Sequence, residues 1–261
     1  MKKKLISILF IAIVLTLSLA LFCGCFFENL SIISGKLSGE ALEALGVLAA
    51  VDEEESSSNM PTNFTQINKV SYSLGANAAE VTSVYKVTES AIFWSVTTVS
   101  NGVTQTNEGY LEADEGFYFV YARDVNSNEW KVGAVDEETF KAYCSQRSNG
   151  VSEDTRANLF NGKNYKSAGK KYKYTGPEVY IIFNQTKMVI DVEGLFVKDG
   201  GVEIKCKAHP ELTAEQKAEA EAAGYNVNMP VSYSVTSVGS TTITFPKVSN
   251  PSYKNEYKNQ H

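Results

Sequence analysis

The groups with which this 261-residue chain could do chemistry are two histidines, four cysteines and thirty carboxylates. Histidine is the usual proton shuttle near neutral pH. Here His209 stands beside Pro210, and His261 is the last residue. A Ser-His-Asp or Cys-His apparatus would have to run on His209, with Cys144 or Cys206 as the thiol. No stretch looks like a nucleophile elbow, and Cys206 falls on the apolar side of an alternating segment, where a cysteine reads as buried and inert. Cys144 and Cys206 are alternatively disulfide partners in an oxidising location. The carboxylates at residues 52–55, 114–115 and 136–138 fall in expected loops or helix starts and read as solvated faces. EF-hand spacing, paired CxxC ligands and a GxxxxGK loop are missing, so no metal, nucleotide or other cofactor is expected. The expectation is a protein that is not an enzyme.

Composition narrows the class further. The chain is 43% hydrophobic and 21% charged, with 18 Gly and 6 Pro, which excludes a collagenous, Pro-rich or wholly disordered protein. Its aromatics (14 Tyr, 13 Phe, 2 Trp) point to a core built by packing. The formal charge is −6, but the first 24 residues hold three lysines and no acid. The remainder carries 21 basic against 30 acidic residues, a net of −9, which argues against nucleic acid as a partner.

Lys2, Lys3 and Lys4 precede a greasy run over residues 5–22 broken only by Ser7, Thr16 and Ser18, the pattern of a secretory signal over residues 1–24. The run closes on Leu21-Phe22-Cys23-Gly24-Cys25, which resembles the bacterial lipobox. In that motif the cysteine receives a diacylglyceryl thioether and becomes the new N-terminus. The resemblance makes Cys25 the acceptor with Gly24 at −1, whereas Phe22 and Cys23 depart from the family's usual Leu and Ala or Ser at −3 and −2. Two alternatives stand beside it: an uncleaved anchor over residues 5–27, long enough to span a bilayer, and a plain signal cleaved without lipidation. A plain signal favours small residues at both −3 and −1, which Phe22 does not supply. In each case the body lies outside the cytoplasm. Acyl chains such as palmitate gain about 0.8 kcal/mol per buried methylene, so several on Cys25 would hold the protein on the extracytoplasmic face of the cell membrane.

Residues 25–60 then read as a lipidated terminus, a short helix and an acidic linker. Leu42, Leu45 and Leu48 recur at helical spacing within residues 39–51, behind the candidate cap Ser38. Residues 52–58 offer no apolar side chain to bury. The folded domain is expected over 61–250, with a tail over 251–261. There the dominant period is two: Val70, Tyr72 and Leu74; Met188, Ile190 and Val192; Val202, Ile204 and Cys206; Val231, Tyr233 and Val235; and Ile243 with Phe245. Such alternation buries one strand face, as antiparallel sheets allow. Runs 91–99, 117–121 and 179–183 are apolar on both sides and read as central strands. Turn signals at Asn101-Gly102, Asp199-Gly200-Gly201 and residues 184–187 imply antiparallel neighbours. Helices are expected over 137–146 behind Asp136, over 152–160, and from the capping box at Thr213 and Gln216 to Ala223, stopped by Gly224. The fold class is mainly β (α+β): a single curved antiparallel sheet, a half-barrel of ten or eleven strands, with a few short helices packed on one side.

Asn63-Phe64-Thr65, the 117–121 strand leading to Trp130, and the closing SVTSVGSTTITFP of residues 234–246 carry a resemblance to the LolA/LppX-type lipoprotein superfamily, covering about residues 61–247. It also extends to small clostridial-type lipoproteins. That resemblance implies a half-barrel lidded by helices, with acyl chains shielded in the hollow. Phe93, Phe119, Tyr121, Ile182 and Ile190 are the candidate lining, and plain core is the competing role for all five. The function expected is binding or shielding of a hydrophobic ligand, with a solid-cored surface adhesion, sensing or accessory module as the alternative. Finally, Lys163, Lys166, Lys170, Lys171 and Lys173 interleave with Tyr165, Tyr172 and Tyr174. This basic patch could meet anionic headgroups or a cell-wall polymer, by charge and by stacking; its competing role is an edge strand whose lysines discourage aggregation. The expected partners are therefore the membrane, a lipid-like ligand, and an envelope protein or polymer. Replacing Cys25 by Ser is expected to release the protein from membranes with loss of acyl mass. Membrane fractionation with mass spectrometry checks this, and unchanged sedimentation with no mass difference contradicts the lipid anchor.

Overall fold

Two runs of strands, each folded back on itself, are joined edge to edge into one sheet. A computed structural model describes residues 39–49, 63–74, 77–124, 127–145, 153–183, 186–198, 200–224 and 226–261. Cys25 and the acidic linker lie outside them. The first run comprises β1 (Phe64–Leu74), β2 (Asn77–Val87), β3 (Ala91–Ser100), β4 (Val103–Asp114), β5 (Phe117–Arg123) and β6 (Trp130–Val135), each antiparallel to the one before. The second comprises β7 (Tyr165–Ala168), β8 (Lys171–Tyr174), β9 (Val179–Phe183), β10 (Thr186–Lys198), β11 (Gly201–Pro210) and β12 (Met229–Thr236). Because β12 pairs with β1, the order is β6-β5-β4-β3-β2-β1-β12-β11-β10-β8-β7, with β9 also on β10. The result is a single open antiparallel sheet, curved as a half-barrel. It has twelve strands rather than ten or eleven, since the Lys–Tyr segment folds into two four-residue strands.

The turns follow local chemistry. Asn101 and Gly102 take φ of 51° and 77°, the left-handed pair that a two-residue hairpin requires. Gly201 has a different reason: a Cβ there would sit 1.8 Å from the Val235 carbonyl oxygen, so the close passage of β12 demands glycine. In β10 a bulge between Val192 and Gly194 lets one long strand serve two partners, β9 at Thr186–Ile190 and β8 at Leu195.

One face of the sheet is covered by helices. The helix α1 (Gly39–Ala49) lies over β11 and β12. Its Ala41, Ala44, Leu45, Val47 and Leu48 are fully enclosed with Val202, Ile204, Tyr233 and Val235. The helix expected in the tether is thus built into the core. Its sequence, GEALEALGVLA, is apolar around most of its circumference, as a buried helix must be. Eleven residues with two glycines would not stay helical in water alone. Beyond it, α2 (Glu137–Ser145) sets Phe140 4.7 Å from the ring of Tyr118, and α3 (Glu153–Leu159) buries Leu159. The helix α4 (Ala214–Ala222) buries nothing, and both bonds of its Thr213–Gln216 capping box form.

Three expectations change. The helices do not all lie on one side, because α5 (Tyr253–Gln260) packs on the opposite face, and that segment is not a bare tail. No strand forms at Ile243–Phe245; residues 241–250 instead cross the sheet so that Phe245 can meet Tyr110 and Tyr121. Nor is β9 central: it pairs with β10 alone, and its outer edge is closed by Thr155 of α3, whose hydroxyl donates to the Tyr180 carbonyl and accepts from the Tyr180 N–H. Leu45→Ala is expected to destabilise the protein by about 2–5 kcal/mol in denaturant unfolding. A loss under about 0.5 kcal/mol would mean that α1 is not seated on the sheet.

Candidate functional site

The five expected lining residues do not converge. Strand alternation places Phe93, Phe119 and Tyr121 on the face away from α1, whereas Ile190 lies on the α1 face with Val179 opposite it. Ile182 pairs with Lys187 through the backbone, and its side chain lies outside the described residues. The physical reason is parity. A run such as FYFVY is apolar at odd and even positions alike, so its sequence does not say which residues face the helices.

Phe119 and Tyr121 build an aromatic floor for the end of the chain. Tyr110 lies 4.8 Å from Phe93 and 5.3 Å from Trp130; Phe245 lies 4.8 Å from Tyr121; Tyr257 reaches Phe117 and Phe119 at 6.1 Å each. Residues 240–261 are strapped over this floor. At the near end the Thr241 N–H donates to Asn63 Oδ1 at 2.6 Å, and Asn63 Nδ2 returns a bond to the Thr241 carbonyl. At the far end the Asn250 amide accepts from the Val132 N–H (3.0 Å) and donates to the Val132 carbonyl (2.8 Å), in the place of a neighbouring strand. The Ser249 N–H donates to the Trp130 carbonyl, and the Tyr253 hydroxyl accepts from the Ala134 N–H. The outer edge of β6 is closed by these bonds.

Charge locks the strap. Lys254 Nζ lies 2.8 Å from Glu112 and 2.7 Å from Asp114; Lys258 Nζ lies 2.8 Å from Asp114 and 2.9 Å from Glu115. The hydrogen bonds from Lys254 and Lys258 hold the Asp114 carboxyl below the usual carboxylate range. Burial, then the 2.5 Å bond to Glu112, pushes the Tyr121 phenol up. Sequence reading missed this element because α5 has no large aliphatic residue. The available signal was Tyr253 with Tyr257 and Lys254 with Lys258, each pair four apart on one helix face.

His209 lies in a cleft of about 460 Å³ bordered by Glu178, Asp191, Glu211, Leu212 and Lys217. Its Nε2 is 3.3 Å from Asp191 Oδ2, and its Nδ1 is 3.2 Å from the Pro210 carbonyl. Among the described residues the lining of the cleft contains no hydroxyl or thiol side chain. Cys206, three residues along β11, faces the other side of the sheet as a free buried thiol, and burial pushes its ionisation well up. The side chain of Cys144 lies outside the described residues. A second cleft, of about 590 Å³, opens at the end of the sheet beside Ser71, Glu80, Val99, Asn101 and Asn228. Among the described residues no three His, Cys, Asp or Glu side chains are grouped to hold a metal ion, and no helix is long and apolar enough to cross a membrane.

The basic segment is the β7–β8 hairpin at the other end of the sheet. Its tyrosines point inward: Tyr165 and Tyr174 meet edge to face at 5.4 Å, the Tyr165 hydroxyl donates to the Leu159 carbonyl, and Tyr172 packs on the same core. They are not placed for stacking on an outside partner. Lys163, Lys166, Lys170 and Lys173 are exposed, while Lys171 Nζ donates to the Glu193 carbonyl at 2.7 Å. No protein-family model matches the chain, and neither does any curated protein.

As pH falls through the depressed pKa of Asp114, its ion pairs with Lys254 and Lys258 are lost. A carboxyl lowered by folding stabilises fully above its ordinary value near 4 and ceases to do so below its folded value. Hydrogen exchange at the Val132 and Ala134 amides, relative to the intrinsic rate, is therefore expected to quicken in acid. Asp114→Asn should quicken it already at neutral pH and flatten the acid response; an unchanged profile would show that these pairs do not hold the strap.

Proposed function

We propose that this chain is an exported, membrane-tethered lipoprotein, lipidated at Cys25, that acts without catalysis through the outer surface of its sheet, as an accessory or adhesion module of the envelope. The observation that carries the choice is α1. A half-barrel that shields an acyl chain needs a vacant apolar hollow under its helices. Here the chain's own helix occupies that position, with five side chains fully enclosed. His209, held between Asp191 and a carbonyl in a cleft where no described residue offers a hydroxyl or thiol, supports a non-enzymatic role. Kinship with LolA/LppX-type proteins is part of the same proposal, supported by the open sheet with helices across one face.

A hydrophobic ligand, lipid or acyl chain, is the second reading, favoured by the apolar residues of the trough beneath α1, Val202, Ile204, Val231 and Val235. In that reading the ligand enters by displacing the helix. Native mass spectrometry of the full-length protein from its own membranes separates the two. A mass equal to chain plus anchor is expected, and a further lipid at one-to-one stoichiometry would replace the first reading by the second.

A further inference from the structure

The β7–β8 hairpin is built against its own electrostatics. Lys166 and Lys173 stand directly opposite one another across the two strands, a placement of like charges that weakens a sheet. Lys170 adds a third charge at the turn, and residues 155–177 contain no acid at all. Several lysines on the other strands are matched: Lys131 with Asp124, Lys187 with Glu178, Lys198 with Glu203 and Lys207 with Glu193, at 2.7–2.8 Å. Lys166, Lys170 and Lys173 make no ion pair with any described residue. Guarding a short edge strand needs a single exposed lysine and no opposed pair. Meanwhile the three tyrosines fasten the back of the hairpin to the core, so its cationic front is held in one orientation.

We propose that this hairpin docks the tethered body onto the anionic headgroups of the membrane that carries its anchor. The inference rests on the anchored reading above. Thirteen residues lie between Cys25 and Gly39, and the fourteen Cα-to-Cα steps span at most about 50 Å, so the body stays within reach of the bilayer. The body from Cys25 onward carries a net of −9, which an anionic leaflet repels at long range. Screening cuts that repulsion off within about 8 Å, so the face nearest the headgroups decides the contact, and each lysine there attracts. The hairpin supplies three unmatched lysines on one rigid face.

The test uses the full-length protein reconstituted on vesicles of phosphatidylcholine alone or with about 30% phosphatidylglycerol, an anionic fraction chosen to give a substantial surface potential. Surface amines are acetylated and read by mass spectrometry. Labelling of Lys166, Lys170 and Lys173 is expected to fall at least about threefold on the anionic vesicles and to recover in about 0.5 M salt. The exposed Lys217 and Lys247 should label equally on both. The variant K166E/K173E should keep its far-UV spectrum and lose the protection of Lys170. Vesicle-bound protein whose three lysines label alike on both vesicles overturns the docking proposal and leaves the anchor standing. Protection by soluble polyglutamate but not by vesicles overturns it in favour of a polymer partner. Protein that floats with neither vesicle overturns the anchored reading, and the docking proposal with it.

Discussion

The pairing of β1 with β12 is the constraint on which the rest of the molecule depends. It joins residues such as Thr65 and Thr236, far apart in sequence, and turns two separate meanders into one sheet. Both covers of the sheet need that seam. The trough that receives α1 is floored by β11 and β12, and the strap that closes the other face starts from Asn63, directly before β1. Contacts of such sequence separation carry a high loop-closure cost before they return any energy. The seam is correspondingly well furnished: Val70 faces Val231, Gln66 faces Val235, and the Ser234 hydroxyl donates to the Ile67 carbonyl.

An open sheet must also dispose of its edges, since unpaired backbone groups recruit foreign strands. This molecule uses three devices. On β6 the Asn250 amide and the strap backbone take the place of a missing neighbour. On β9 one threonine hydroxyl serves both backbone groups of Tyr180. On β7 the strand is four residues long and carries an unmatched lysine. The first two close their edges with neutral hydrogen bonds, while the third leaves charge exposed. That contrast is what the proposed docking of the β7–β8 end on anionic headgroups rests on.

The two faces divide the labour between packing and electrostatics. Under α1 the contacts are mainly aliphatic, so burial of apolar side chains is the chief force on that face. Under α5 the contacts are aromatic rings ringed by Glu112, Asp114, Glu115, Lys254 and Lys258. These ion pairs are partly exposed, so each is worth little by itself; their effect is to fix the register of a helix that has no aliphatic residue to bury. The acid sensitivity expected of the strap follows from the lowered ionisation of Asp114.

The sequence by itself determined the local elements. Period-two alternation marked the strands, Asn101-Gly102 and the glycines at 200–201 marked turns, and Thr213 with Gln216 marked the start of α4, because each depends only on residues a few positions apart. The hydrophobic richness of residues 39–51 revealed a helix and not its seat, since burial is a property of what lies across from it. Which face Phe93, Phe119, Tyr121 and Ile190 would share was decided only by tertiary pairing: β-strand side chains alternate by register, and runs apolar at every position leave that register open. The same holds for residues 240–261. Asn250 can stand in for a strand, and Lys254 and Lys258 can lock a strap, only after the fold has brought Val132 and Asp114 within hydrogen-bond distance of residues more than a hundred positions later.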